Sequence, residues 1–477
     1  MTTATTTVAP PTRARATRTD LAVLAAVTVV LRIPAFVAER HLTFDDGVFG
    51  ASAVAMRAGG RPFQDVFSSQ GPLFLPLVWV ADALGFRTAN APRVLSMLAA
   101  LLLVGATYAA GRAITDRTGA LIAALLVSVT GTSLWITGPI AADGAALAFA
   151  TLTVALALWW RDEVTTRRAV WLGLGIGATI SVKALLAPVI LPVALVLIAG
   201  RRIRPILAGA AASVTLHFAL WLPWGVGNVW AQSYEYHLDV ATDRTPGANA
   251  RKVLSTLGDR DLLVVVAVAL MIVAVLVGRR ALPPAVEARL TSPDTLLVAW
   301  LIGTTLVLLT EHPMWRPHVS QLVPALALLA VRHRPATSVL VLALLIALPY
   351  QVVHAWPILH PAGFTGSADR VVQELAGLPD GALAISDDPG LVWRAGRRTP
   401  PDLVDTSILR IETGDLTAAS VTAAASDPEV CAVVVRSRVR WGSFEDLPER
   451  LAAAGYQVAD EDALGRRLYL KTSCDPS

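Results

Sequence analysis

The sequence predicts a polytopic α-helical membrane protein that ends in a small extracytoplasmic α/β domain. Three observations carry this expectation. Hydrophobic residues make up 54% of the 477 residues and charged residues only 16%, against about 25% charged in soluble domains. Mean hydropathy is +0.57. Apolar runs long enough to cross a bilayer, which takes about 20 residues, recur until residue 354, where Asp, Glu and Arg become more frequent. The composition excludes a disordered, collagen-like or disulfide-scaffold chain.

Residues 1–19 are rich in Thr, Ala, Pro and Arg, including Arg13, Arg15 and Arg18, and read as a disordered cytoplasmic tail. The first apolar run, 20–38, reads as an uncleaved span, since no clean small-x-small cleavage site follows it. Ten further spans are expected near 92–111, 119–137, 144–160, 169–182, 184–200, 205–222, 261–278, 294–310, 317–331 and 336–354. They make about eleven transmembrane helices over residues 20–354.

Basic residues test that topology. With the N-terminus inside, the inner loops carry Arg112 and Arg117, then Arg161, Arg167 and Arg168, then Arg201, Arg202 and Arg204. Arg279, Arg280 and Arg289 follow, and finally Arg332 and Arg334. The short outer links hold only Lys183 and Arg316. This asymmetry is the positive-inside pattern. It accounts for the net charge of +4 without a nucleic-acid partner, and an odd span count puts the C-terminus outside.

Three outer segments are long: 39–91, 223–260 and the tail 355–477. In the tail, GALAIS (381–386), VCAVVV (430–435) and RRLYLK (466–471) read as strands, and 415–425 and 445–454 as helices. The chain has two cysteines, Cys431 and Cys474, both in this tail, where an oxidising compartment would permit pairing. CxxC, HExxH, Walker and GxGxxG motifs are absent, so zinc hydrolysis, ATP-driven transport and dinucleotide redox lack their usual signatures.

Chemistry concentrates in the outer links. Asp45 and Asp46 stand side by side just past the first span, before a helix-like run that ends at Gly59-Gly60. An amphipathic stretch follows at 72–85. The bland reading is helix capping, with Thr43 and Asp46 resembling a capping box. Capping does not exclude catalysis, because a rigidly held carboxylate suits a general base. Asp143, in TGPIAADGAAL, is either an N-cap or an acid facing the same outer cavity. Lys183 is either a snorkelling lysine or a cation for a phosphate. The link EHPMWRPH adds His312, Arg316 and His318. Trp224, Trp230, Tyr234, Tyr236 and His237 form an aromatic set, read mainly as interfacial belt with sugar stacking as the alternative.

Taken in order, the acidic pair, the surface helices with their G-P-L-F run, the short Asp link, the outer lysine and the Pro-rich link resemble the membrane glycosyltransferases of the GT-C class. The likeness is to family 39, which includes the protein O-mannosyltransferases and the aminoarabinose transferases of lipid A. It covers roughly residues 20–330. The resemblance implies that Asp45 is the catalytic base and Asp46 its partner. It also implies that Asp143 lies with the substrate and that Lys183 approaches the lipid phosphate. One departure stands out: Gln70-Gly71-Pro72 occupies the place of a Lys-Pro, so a phosphate cation is lost there.

The expected activity is transfer of a mannose- or arabinose-type sugar from a polyprenyl-phosphate donor to an extracytoplasmic lipid, glycan or protein acceptor, with inversion. Asp45 and Asp46 are the expected catalytic pair. Lys183, Arg316 and His318 are expected at the donor phosphate, and Asp143 and Gln70 at the substrate. A divalent cation is optional, because the leaving group has a single phosphate. A lipid-linked sugar flippase, which needs charge near the bilayer midplane, and a non-enzymatic membrane scaffold are the alternative classes. His217 is the one residue that fits the former.

Overall fold

The computed structural model describes residues 11–238, 246–277 and 290–474. Arg279, Arg280 and Arg289, counted above as inner basic residues, lie outside the described residues. The first helix, α1, spans Pro11–Val37. The segment read as a disordered tail to residue 19 is therefore helical from Pro11. Proline fits the first helical turn, and residues 12–19 contain neither Gly nor Pro.

Two helices build the loop between the first two spans, α2 (Phe44–Arg57) and α3 (Phe74–Leu84), where the sequence expects them. They lead into α4 (Val94–Ile114), α5 (Arg117–Val129), α6 (Gly131–Thr137) and α7 (Ala142–Trp160). Next come α8 (Thr166–Val182), α9 (Ile190–Ala199) and α10 (Ile203–Ala219). Helices Pro246–Arg260, Leu262–Val277, Pro293–Thr310, Val323–Arg332 and Thr337–Leu359 complete the apolar part.

Among the described residues, six helices are long and apolar enough to cross a membrane. The number is eight if two bent pairs, α5 with α6 at 63° and Pro246–Arg260 with Leu262–Val277 at 101°, each count once. Eleven full-length helical spans are thus not reached. Proline shortens two of the expected ones. Pro188 lies in the 3-10 turn before α9, and Pro317 in the 3-10 turn Arg316–Leu322. Each ring removes a backbone donor, and the α-helices that follow are ten residues long.

The tail forms a four-stranded sheet in the order β1-β2-β4-β3. Strands β1 (Leu383–Ser386) and β2 (Val430–Val435) are parallel. Strands β3 (Tyr456–Glu461) and β4 (Arg467–Lys471) extend the sheet antiparallel. Three strands fall where the sequence expects them. The fourth, β3, is an edge strand whose residues after Tyr456 are mostly exposed, so it lacks the apolar alternation that marks a half-buried strand. Cys431 and Cys474 are joined as a disulfide, with Cα atoms 5.4 Å apart.

This sheet domain is docked on α2. The helix Pro389–Arg394 packs across it, and Gly47 and Gly50 leave room for Gly390 and the Trp393 ring. Polar contacts fasten the edges. His41 Nε2 meets the Asp388 carboxylate at 3.1 Å, Arg394 donates to Asn90 Oδ1 at 2.7 Å, and the Arg440 guanidinium lies 4.4 Å from the centre of the Phe44 ring. A side chain at Gly47 would place its Cβ 2.7 Å from the Gly390 backbone. Backbone cannot yield as a flexible side chain can, so Gly47→Val should weaken docking by roughly 1–3 kcal/mol. Limited proteolysis between residues 359 and 367 should show faster release of the C-terminal domain than in the unaltered protein.

Candidate functional site

The adjacent acids divide their work. Thr43 caps α2 by accepting from the Asp46 N–H at 3.1 Å. Asp46 does not return the bond to Thr43; its carboxylate accepts instead from Leu42 N–H and Ile140 N–H, both at 2.9 Å. Arg93 closes the arrangement, with Nε at 3.2 Å and Nη2 at 2.5 Å from the two carboxylate oxygens. Arg93 also donates to the carbonyls of Ala35, Ala38 and Arg40. Both ion-pair side chains are fully buried. Asp46, expected beside Asp45 in the catalytic pair, is held by these contacts in the frame of the site. Its carboxylate is saturated by four donors and shielded from solvent.

Asp45 is one residue further along α2 and points elsewhere. It is exposed, and its carboxylate makes no hydrogen bond or ion pair with any described residue. Protein nevertheless surrounds it closely enough that burial pushes its carboxyl up to about 6. The Lys183 cation partly offsets that shift, while Asp143 and Asp405 add to it. An acid of this kind is shared between protonated and ionised forms near neutral pH, as a general base should be.

Opposite Asp45 lies a buried charge cluster. Lys183 is the C-cap of α8. Its ammonium donates to Asp143 Oδ2 at 2.8 Å and meets His318 Nε2 at 3.1 Å. Only 15% of the Lys183 side chain is exposed, so it does not snorkel to water. Asp143 sits in the first turn of α7 but is not its N-cap, which is Ala141; its carboxylate is committed to Lys183 instead. His318 is held from the other side by Glu311, with Nδ1 2.5 Å from Oε1. Among the described residues, no group of three or more His, Cys, Asp or Glu side chains is arranged to hold a metal ion.

The 39–91 loop reaches this cluster through its backbone. Gly71 N–H donates to Val182 O at 3.1 Å and Leu73 N–H to Ser181 O at 2.8 Å. A Cβ on Gly71 would collide with the Ser181 carbonyl, so glycine is what lets the loop close against the residues just before Lys183. Gln70 itself turns aside, its amide donating to Ser69 Oγ at 3.2 Å. Arg316 also falls outside the cluster and pairs with Asp259 at 3.3 Å. Gln70 serves through its main chain, whose carbonyl accepts from Ser233 Oγ at 2.6 Å, and Arg316 is drawn to a nearer carboxylate.

The aromatic set splits likewise. Trp221, Tyr234 and Trp230 stack in series, and His217 bridges Ser181 Oγ at 2.8 Å and Tyr234 OH at 3.1 Å. Tyr236 is buried, meets the Phe67 ring edge-on and reaches Ser407 Oγ at 3.0 Å. Glu311, Arg93 and Asp405 carry no signal that a reading of short motifs would find. Arg93 offers one hint, a charge at the very start of an apolar run, which a buried partner would explain.

Comparison with known proteins agrees with this architecture. Residues 80–207, which include Asp143 and Lys183 but not Asp45, match the dolichyl-phosphate-mannose-protein mannosyltransferase (PMT) family. No curated protein matches the chain. The fold is similar to that of ArnT from Cupriavidus metallidurans bound to undecaprenyl phosphate, with a TM-score of 0.65 at 14% identity over 97% of this chain and 98% of that one. It is also similar to the archaeal oligosaccharyltransferase AglB from Archaeoglobus fulgidus in complex with an inhibitory peptide and a dolichol-phosphate. There the TM-score is 0.55 at 13% identity, over 98% of this chain and 75% of that one. Arabinosyltransferase EmbB from Mycobacterium smegmatis aligns at a TM-score of 0.50 and 12% identity, over 79% of this chain and 33% of that one. The chain thus shares its overall fold with these solved structures, and it carries several helices long and apolar enough to cross a membrane.

Two outcomes follow from the division between the acids. Asp46→Asn leaves Arg93 charged and buried without its counter-ion, a loss of about 3–5 kcal/mol. Thermal unfolding in detergent should show it far less stable than Asp45→Asn. The second outcome concerns pH. The folded-state pKa of Asp45 is raised, so its ionised form costs stability, and that cost appears as pH rises from the unfolded value of 3.8 through about 6. At pH 7 Asp45→Asn should therefore melt no lower than the unaltered protein, whereas a structural carboxylate would lose stability on amidation.

Proposed function

We propose that the chain is a glycosyltransferase that moves a sugar from a polyprenyl-phosphate donor to an acceptor on the extracytoplasmic face. One observation carries this reading. A carboxylate free of partners and poised to titrate near pH 6 faces a buried lysine at the end of an apolar helix. The likeness to folds solved with undecaprenyl phosphate and dolichol-phosphate supports the donor class. The arginine asymmetry between links supports the orientation, with the C-terminal domain outside.

In this mechanism the acceptor hydroxyl attacks the anomeric carbon as the bond from that carbon to the phosphate oxygen breaks. The bonding pair leaves with the lipid phosphate, and Asp45 takes the hydroxyl proton. A single displacement inverts the anomeric centre. Lys183 meets the charge that grows on the leaving oxygen, the kind of stabilisation that counts most in a site closed to water. In the free protein Lys183 is neutralised by Asp143 and leans on His318. Donor binding exchanges part of that contact for the phosphate, while Glu311 keeps the imidazole in place. The sugar is of the mannose or arabinose type in this proposal, and the acceptor is a lipid, glycan or protein.

The test uses purified protein with labelled polyprenyl-phosphate mannose and polyprenyl-phosphate arabinose, an acceptor extract of membranes, and a pH series. Asp45→Asn should bind donor yet lose about 10²-fold or more in turnover. For the unaltered enzyme kcat/KM should climb with pH and level off above about 6. Lys183→Ala should weaken donor binding by an order of magnitude or more, as loss of a hydrogen bond to a charged group implies. Full turnover in Asp45→Asn would remove the proposed base, and full donor affinity in Lys183→Ala would remove the phosphate site.

A further inference from the structure

We propose that the cleft between the 39–91 loop, the segment around Gln232 and the C-terminal domain binds the acceptor as a neutral sugar chain. In this proposal Asp405, beside the cleft, accepts a hydrogen bond from the bound acceptor. The inference deepens the transferase reading and rests on it. The cleft encloses about 250 Å³, and its walls include Gln64, Phe67, Gln232, Asp402, Arg410 and Asp415. That is somewhat below the roughly 300–1,000 Å³ of pockets for drug-sized ligands, a volume suited to one sugar unit at a time.

The lining selects the ligand class. Carboxylates accept from hydroxyl groups, and side-chain amides both donate and accept, so the walls match a polyol. Arg410 lies over the Phe67 ring with its guanidinium carbon 4.1 Å from the ring centre, which gives a flat floor for a sugar face. Three acids, Asp65, Asp402 and Asp415, line the cleft; Asp65 is paired with Arg61 at 3.2 Å and Asp415 with Arg410 at 2.5 Å, which leaves carboxylate in excess. The cleft therefore repels phosphate and other anions, unlike the Lys183 cluster.

The cleft wall continues into a loop that carries Asp405. Arg410 Nη1 donates to the carbonyls of Asp402 at 2.6 Å and Asp405 at 2.7 Å, so the loop from the cleft wall to Asp405 is wrapped around one guanidinium. Asp405 is 5% exposed. Its Oδ1 accepts from Ser407 N–H at 2.9 Å, and its Oδ2 accepts no hydrogen bond from any described residue. Tyr236 touches both Phe67 on the cleft wall and Ser407, two residues beyond Asp405. A buried carboxylate with one free oxygen, on the loop that follows the cleft wall, is placed to accept a hydrogen bond from an acceptor hydroxyl.

Saturation-transfer NMR on the full chain in nanodiscs tests this, with mannotriose, arabinotriose and a chitotriose as probes. At least one trisaccharide should receive saturation, and Asp402→Asn and Gln64→Ala, on opposite walls, should each weaken that binding about tenfold, the worth of one hydrogen bond to a charged or well-placed group. Asp45→Asn should bind the same trisaccharide normally. In transfer assays Asp405→Asn should raise the acceptor KM more than it lowers kcat. No saturation of any probe by the unaltered protein overturns the sugar class. Unchanged binding in both wall variants, each folded by thermal unfolding, overturns the location. Binding of polyprenyl-phosphate mannose and of polyprenyl-phosphate arabinose is measured in parallel: absence of both from the unaltered protein removes the transferase reading, while the trisaccharide result still reports on the cleft.

Discussion

The buried ion pair between Asp46 and Arg93 is the constraint on which the site depends. It joins three parts of the chain that are distant in sequence: the end of α1, through the carbonyls of Ala35 and Ala38, the start of α2, and the link before α7, through Ile140 N–H. An isolated buried charge is too costly to keep, so each partner requires the other and every donor around it must be matched. That requirement leaves α2 one orientation. Successive residues on a helix point about 100° apart, and with Asp46 turned inward Asp45 is turned toward Lys183.

The C-terminal domain extends the same frame. Trp393 lies against α2 with the Arg93 guanidinium 5.6 Å from its ring centre, so the sheet domain packs directly on the residues that hold the ion pair. Gly47 and Gly50 make this possible, because helix meets helix backbone to backbone only where a Cβ is missing. Domain docking and the placement of Asp45 are thus one structural event, and the domain's own residues, Asp405, Ser407 and Arg410, arrive at the site as a consequence.

Charge balance explains why the cluster around Lys183 can exist without ligand. Its ammonium and the Asp143 carboxylate neutralise one another, and His318 and Glu311 extend the contact outward. A lysine held this way is available to an anion without ever being bare in a low-dielectric setting, and the carboxylate beside it disfavours adventitious anions. Asp45 stands outside this network, and its burial in the protein keeps its proton affinity high.

Composition and periodicity determined what depends on neighbours along the chain. The apolar runs, the helices of the 39–91 loop, three of the four strands and the identities of Asp45, Asp143 and Lys183 as candidates were all legible there, since each rests on hydropathy, spacing or local capping chemistry. Which acid of the pair stays free was not legible, because Arg93 lies 47 positions away from Asp46 and only folding brings it there. The same holds for Arg316, drawn away by Asp259, and for Gln70, whose side chain turns to Ser69. It holds most for Asp405, a buried acid that no local pattern distinguishes from the exposed acids of the tail. A residue's role in this site is set by which charges are brought within a few ångströms of it in a low-dielectric interior, and that is a property of the tertiary structure alone.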